Sequence, residues 1–154
     1  MRNSILSIPF FNSLFFVQNE WHQHGVFLHT LRVTYYTIKA KDYKLIPAAL
    51  LHDIGKPFCA FKKDEDDVKY GEYSFTDHEE ASYQIIKDSS FISQYTKDIV
   101  RYHYLIRDIK KSKKENYERH KLKKAIWDSL SDEMHKELER FLLYDDKGKG
   151  KKRR

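Results

Sequence analysis

One cysteine, Cys59, stands in 154 residues. It excludes an internal disulfide and fits a reducing compartment, so the chain is expected in the cytoplasm. No apolar run approaches the ~20 residues that a membrane span needs, so no membrane partner is expected. The apolar opening, Met1 to Val17, is interrupted by Pro9, Asn12 and Ser13, and no small-residue cleavage site follows it. That stretch predicts a packed N-terminal helix. Internal repeats are absent, and no alternation of apolar and polar residues is long enough for a sheet. What remains is an all-α fold.

Hydrophobic residues make up 40% of the chain and aromatics 15%, enough for the core of one globular domain even with 34% charged residues. The formal charge is +6, and its location matters more than its size. Residues 147–154 carry six basic side chains and no acidic one, which leaves 23 basic against 23 acidic in the rest. We therefore expect a neutral domain over 1–146 and a solvated, disordered basic tail over 147–154. Such a tail attracts phosphate-rich partners, nucleic acid among them.

Helical spacing recurs along the domain. Phe10, Phe11, Leu14, Phe15 and Val17 predict a short first helix, and Val26, His29, Val33 and Tyr36 a second over 26–39. A third is expected over 43–54, with Pro47 in its first turn and Gly55 and Pro57 ending it. Periodicity is lost over 58–75, which predicts a loop or short hairpin tipped by Asp64, Glu65, Asp66 and Asp67. Thr76 and Glu79 have capping-box spacing, so a fourth helix should begin there. A fifth is expected over 91–105, then a basic linker from Lys110 to Lys114 and a charged helix over 117–130. Ser131 caps the last helix, which Gly148 should end. The expected bundle has six to seven helices.

On those helices, metal-ligating groups interrupt apolar stripes. His29 continues the stripe of the second helix, and Asp53 shares a face with Ile46, Ala49 and Leu50. His78 precedes Ala81, Ser82 and Ile85, His103 follows Ile99 and Val100, and Asp145 follows Leu138, Phe141 and Leu142. His52 adjoins Asp53. A single buried histidine is usually a satisfied core residue. Six such groups on five helices are better explained by a cation, because a buried ionised carboxylate needs compensation.

The order His29, His52-Asp53, His78, His103, Asp145 resembles the ligand order of the HD-domain metal-dependent phosphohydrolases. The octet from Leu50 to Pro57 resembles that family's signature, and Phe75-Thr76-Asp77-His78-Glu79 its Phe-x-Gly-His-Glu-like element. Asp145-Asp146-Lys147-Gly148-Lys149 resembles its closing Asp-x-x-Gly-Arg/Lys; the spacing to Gly148 favours Asp145 over Asp146. Gln18-Asn19-Glu20-Trp21-His22 is similar to a segment of the HD domain in bacterial tRNA nucleotidyltransferases and free-standing relatives.

The resemblance implies one or two divalent ions: the first held by His29, His52, Asp53 and Asp145, and a second, where it binds, bridged by Asp53 with His78 and His103 completing its coordination. Manganese, nickel, cobalt, iron, zinc and magnesium all suit these donors. It implies hydrolysis of a phosphoester by a water that the ion activates, with Asp53 and Lys56 as catalytic residues. Lys56 and, less strongly, Arg107 are the candidates to bind the substrate phosphate. The expected substrate is a nucleotide or a nucleic-acid terminal phosphate. Two alternatives stand beside it: a single-strand nuclease, and a non-catalytic, metal-stabilised nucleic-acid-binding module.

Overall fold

The computed structural model describes residues 24–60 and 74–150. The expected first helix, most of the 58–75 loop and residues 151–154 lie outside the described residues. Within them the fold is all-α, as expected. Helix α1, Val26–Lys39, turns Val26, His29, Val33 and Thr37 inward, in keeping with its stripe. Lys41 follows in the left-handed region, with φ 60°, and redirects the chain.

The expected 43–54 helix is broken. A 3-10 turn, Tyr43–Leu45, leads into α2, Ile46–Leu51, with Pro47 in the first turn. His52 to Gly55 form turns, and a new helix, α3, Lys56–Cys59, begins with Pro57 in its own first turn. Pro57 thus starts a helix where it was expected to help end one. Proline tolerates the first turn because its missing N–H has no intrahelical partner there. Leu50 is also 45% exposed, so it does not share the inward face of Asp53.

Helix α4, His78–Ile86, lacks the expected capping box. Its cap is Asp77, at φ 57° and ψ 28°, with no side-chain hydrogen bond into the helix. A capping box needs an extended cap residue, and the left-handed backbone removes that geometry. Aspartate is among the few non-glycine residues that visit this region readily. The family element resembled by this segment has glycine in that place.

Helix α5, Gln94–Tyr102, starts at Ser93, whose Oγ accepts from the Thr96 amide. It stops before His103. The expected linker over 110–114 is instead the C-terminal half of α6, Leu105–Glu115. Leu105, Asp108 and Ser112 form its buried edge, so burial of one face outweighs repulsion among its lysines. Helix α7, Tyr117–Ser129, returns antiparallel to it after Asn116. Helix α8, Asp132–Lys149, is capped by Ser131 as expected, but it runs through Gly148 and ends at Gly150, φ 75°. Lys147 to Lys149 therefore belong to the last helix, and the helical domain extends past 146.

Helices α1 and α8 lie along one another, α2 bridges α1 and α5, and α4 packs on α3 and α5. Val33, Leu45, Ala48, Ala49, Ile86, Ile99, Val100, Leu138 and Phe141 make the core between them. Phe141 is shared by core and site, with its ring 5.5 Å from that of His52 and 6.1 Å from that of His103.

Candidate metal centre

The fold brings His29, His52, Asp53, His78, His103 and Asp145 together, each no more than 5% exposed. They come from α1, the turn after α2, the start of α4, the turn after α5, and α8. Asp53 sits at the middle. Its Oδ2 lies 3.4 Å from His29 Nε2 and 3.2 Å from His52 Nε2, and its Oδ1 lies 3.5 Å from His78 Nε2 and 3.8 Å from His103 Nε2. Asp145 closes the first of these groups, with Oδ1 2.9 Å from His29 Nε2. Asp146 does not reach the histidines: it is exposed and pairs with Arg107 and Lys149.

The histidine tautomers follow from their outer contacts. His52 Nδ1 is 2.9 Å from the Ala49 carbonyl, His78 Nδ1 2.8 Å from that of Phe75, and His103 Nδ1 2.7 Å from that of Val100. A carbonyl oxygen only accepts, so each Nδ1 carries the hydrogen and donates it. The Nε2 lone pairs are then directed inward. His78 Nε2 and His103 Nε2 face each other at 3.2 Å, and His29 Nε2 and His52 Nε2 at 3.3 Å. No donor with hydrogen-bond geometry reaches either oxygen of Asp53 among the described residues.

Burial pushes His29 and His78 below the ordinary histidine value, and it takes His103 well below with help from His52. Burial opposes charge on His52 too, but the Asp53 carboxylate beside it prevails and raises it. For Asp53 itself, burial is outweighed by His52 and by Lys56, whose Nζ lies 2.7 Å from Oδ2, so the carboxyl is held well below its usual range. Asp145 is likewise held well below, Arg107 and His29 overcoming burial. Neutral imidazoles and ionised carboxylates are the protonation states that ligate a divalent cation. Imidazole nitrogens crowded around a carboxylate whose one cationic partner among the described residues is Lys56 are what such an ion relieves. The donor set fits one ion between His29, His52, Asp53 and Asp145, and a second between Asp53, His78 and His103.

These states carry a pH dependence. His29, His78 and His103 have folded values below the ordinary 6.5, so the unfolded chain takes up protons there first and stability is lost as pH falls below about that value. Asp53 and Asp145, also lowered, add to the loss at more acid pH, while His52 acts in the opposite sense. Metal-free protein should show a lower urea midpoint at pH 5 than at pH 7.5. A midpoint that rises on acidification would reject the neutral-histidine assignment.

Lys56 and Arg107 stand in different settings from those expected of free phosphate-binding cations. Lys56 is 4% exposed and ion-paired with Asp53, with Nζ 5.6 Å from the centre of the Phe75 ring. Arg107 grips Asp145 and Asp146 at once through its two terminal nitrogens, and its guanidinium lies over the Tyr104 ring. It orients the Asp145 carboxylate.

Sequence reasoning missed the layer behind His78. Tyr104 packs edge-on to that histidine at 5.1 Å. Arg119 bridges Asp77 and Asp108, and Lys123 bridges Glu79 and Asp108, joining α6 and α7 to the start of α4. The signal was there: Asp108 and Ser112 extend the buried edge of α6 by the same rule that singled out Asp145. Reading 110–114 as a linker hid it.

A family model for the HD domain matches residues 26–140, and the chain belongs to that family. HD domains are, as a family, metal-dependent hydrolases. The match takes in every candidate ligand except Asp145, which the fold itself delivers to His29. Neither a curated protein nor a solved structure matches the chain. No helix among the described residues is long and apolar enough to cross a membrane.

Proposed function

We propose that the chain is a divalent-metal-dependent phosphohydrolase acting on a phosphomonoester or phosphodiester of a nucleotide or nucleic-acid end. One observation carries the reading: Asp53 presents each carboxylate oxygen to the Nε2 atoms of a separate pair of imidazoles, a placement that would let one carboxylate serve two cations. A divalent ion bound there supplies Lewis acidity and an activated water. The chain's own residues do the rest. Asp53 and Asp145 provide the negative charge that holds cations in a buried site. The carbonyls of Ala49, Phe75 and Val100 fix the rings so that Nε2 points inward.

Lys56 neutralises Asp53 in the metal-free protein. With the carboxylate engaged by a cation, the Lys56 ammonium would be placed to donate to a phosphoryl oxygen of the substrate. If only the first ion binds, His78 and His103 are left to contact the phosphate or to move protons. The similarity to the HD domain of bacterial tRNA nucleotidyltransferases belongs to this reading, because its distinguishing segment, residues 18–22, lies outside the described residues. It supports a nucleotide-related substrate, not CCA addition.

The test is a turnover screen over nucleoside monophosphates, cyclic nucleotides and labelled oligonucleotides, each with several divalent ions. Hydrolysis of at least one class is expected; no turnover with any metal would favour the non-catalytic binding module. Lys56→Ala should then retain its metal and fold while losing roughly 10²- to 10³-fold in turnover of the best substrate, the scale of a lost charge-stabilising donor. Unchanged turnover would remove Lys56 from the chemistry.

A further inference from the structure

The neutral total of residues 1–146 conceals a segregation of charge. The α6–α7 hairpin, residues 105–129, holds nine basic and four acidic residues, so the remainder of the domain is net acidic. Several of the nine are spent internally: Arg107, Arg119, Lys123 and Lys124 pair with carboxylates. Lys110, Lys111 and Lys114 are exposed and make no ion pair among the described residues.

Their spacing gives them a direction. Arg107, Lys110, Lys111 and Lys114 fall at steps of three and four residues, so they occupy one face of α6. Arg107 is the inner end, gripping Asp145 of the metal centre. From it the row runs outward for seven residues, about 10 Å at the rise of an α-helix. Glu115 and Glu118, both exposed, bound it at the turn around Asn116. Favourable interaction with the helix dipole accounts for cations in the last turn only, Lys113 and Lys114. Lys110 and Lys111 lie upstream of that turn, one helical turn beyond Arg107.

We propose that this row is a rail for a polynucleotide backbone, so that the substrate is the end of a nucleic-acid strand with phosphates beyond the one hydrolysed. The inference deepens the phosphohydrolase reading and rests on it for the word substrate, though not for the binding itself. Each strand of B-form DNA carries a phosphate about every 3.4 Å of helix axis, so a row of about 10 Å is long enough to meet more than one of them. A mononucleotide has no charge to place there. The row also assigns backbone contact to a folded part of the chain ahead of the basic tail.

The test uses the full chain carrying Lys110→Gln, Lys111→Gln and Lys114→Gln together, all exposed positions where substitution leaves the fold intact. Binding of a fluorescent single-stranded 12-mer is followed by anisotropy in chelator, across a salt series. Turnover of a nucleoside monophosphate and of p-nitrophenyl phosphate is measured with manganese. The triple variant should bind the 12-mer at least about tenfold more weakly at low salt, and its log–log salt slope should fall by roughly two. Turnover of the small phosphoesters should stay within about twofold. Unchanged 12-mer affinity or slope overturns the proposal. So does a loss carried entirely by neutralising Lys151, Lys152, Arg153 and Arg154, or wild-type binding to phosphatidylserine vesicles in place of the 12-mer. Absence of phosphoester turnover in the wild type would instead defeat the enzyme reading, and the anisotropy arm would still decide whether the rail binds nucleic acid.

Discussion

Asp53→Ala should empty the metal centre altogether. Wild-type protein is expected to carry or take up roughly one to two divalent ions per chain, and the variant close to none by elemental analysis. The effect is large because this carboxylate serves both groups of histidines, so one truncation removes the shared anionic ligand from each. It also leaves the Lys56 ammonium buried without its 2.7 Å partner, which raises the local cost of admitting a cation. A thermal readout separates ligand loss from unfolding. Saturating metal at about a hundredfold over its dissociation constant stabilises a folded site by ~2.7 kcal/mol, which in a chain of this size raises Tm by roughly 5–10 °C. The wild type should show that rise and Asp53→Ala should melt cooperatively without it. Asp146→Ala is the control: its carboxylate is exposed and turned to Arg107 and Lys149, so metal content should not change. Full metal occupancy in Asp53→Ala would sink the site assignment.

Five of the six candidate ligands were legible in the sequence because each breaks an apolar helical stripe, and His52 because it adjoins Asp53; a stripe is a periodic signal that survives errors in helix ends. His29 on α1 and Asp145 on α8 lie far apart in the chain, yet both were found by this rule. The local geometry of the loops was not legible. Thr76 and Glu79 have the spacing of a capping box, and only the left-handed backbone at Asp77 shows that another arrangement won. Lysines 110–114 look like a linker until the buried edge of Leu105, Asp108 and Ser112 is seen against its neighbours. The glycines were misjudged for a common reason. In the sequence Gly55 and Gly148 read as helix punctuation, but neither has a positive φ. Their function is close approach, which depends on the partner segment and leaves no trace in local spacing.

That approach makes Gly55 and Gly148 a matched pair of probes. A Cβ on Gly55 would collide with the backbone amide of Ser82 and lie 2.7 Å from the His78 carbonyl and 2.8 Å from Ala81 C. Gly55 N also donates to Ser82 Oγ at 2.9 Å, so the glycine is seated directly on the first turns of α4. Backbone cannot rotate aside as a side chain can, so Gly55→Ala must push α4 outward and take His78 with it. A Cβ on Gly148 would instead strike Val33 Cγ2 and reach His29 Cε1 and Nδ1, both at 3.2 Å. Gly148→Ala therefore presses on α1 and on the His29 ring. Overpacking of this kind typically costs 1–3 kcal/mol, and the Gly55 variant should stand at or above the upper end because every atom it meets is backbone. Both should lower Tm, Gly55→Ala by more. Their metal contents should part company: Gly55→Ala should weaken the ion between Asp53, His78 and His103 first, and Gly148→Ala the ion between His29, His52, Asp53 and Asp145. Titration of each variant with manganese or cobalt, resolved into its two binding steps, reads the difference. Equal weakening of both steps in both variants would mean that the two groups of histidines act as one site, and that α1 and α4 do not hold them independently.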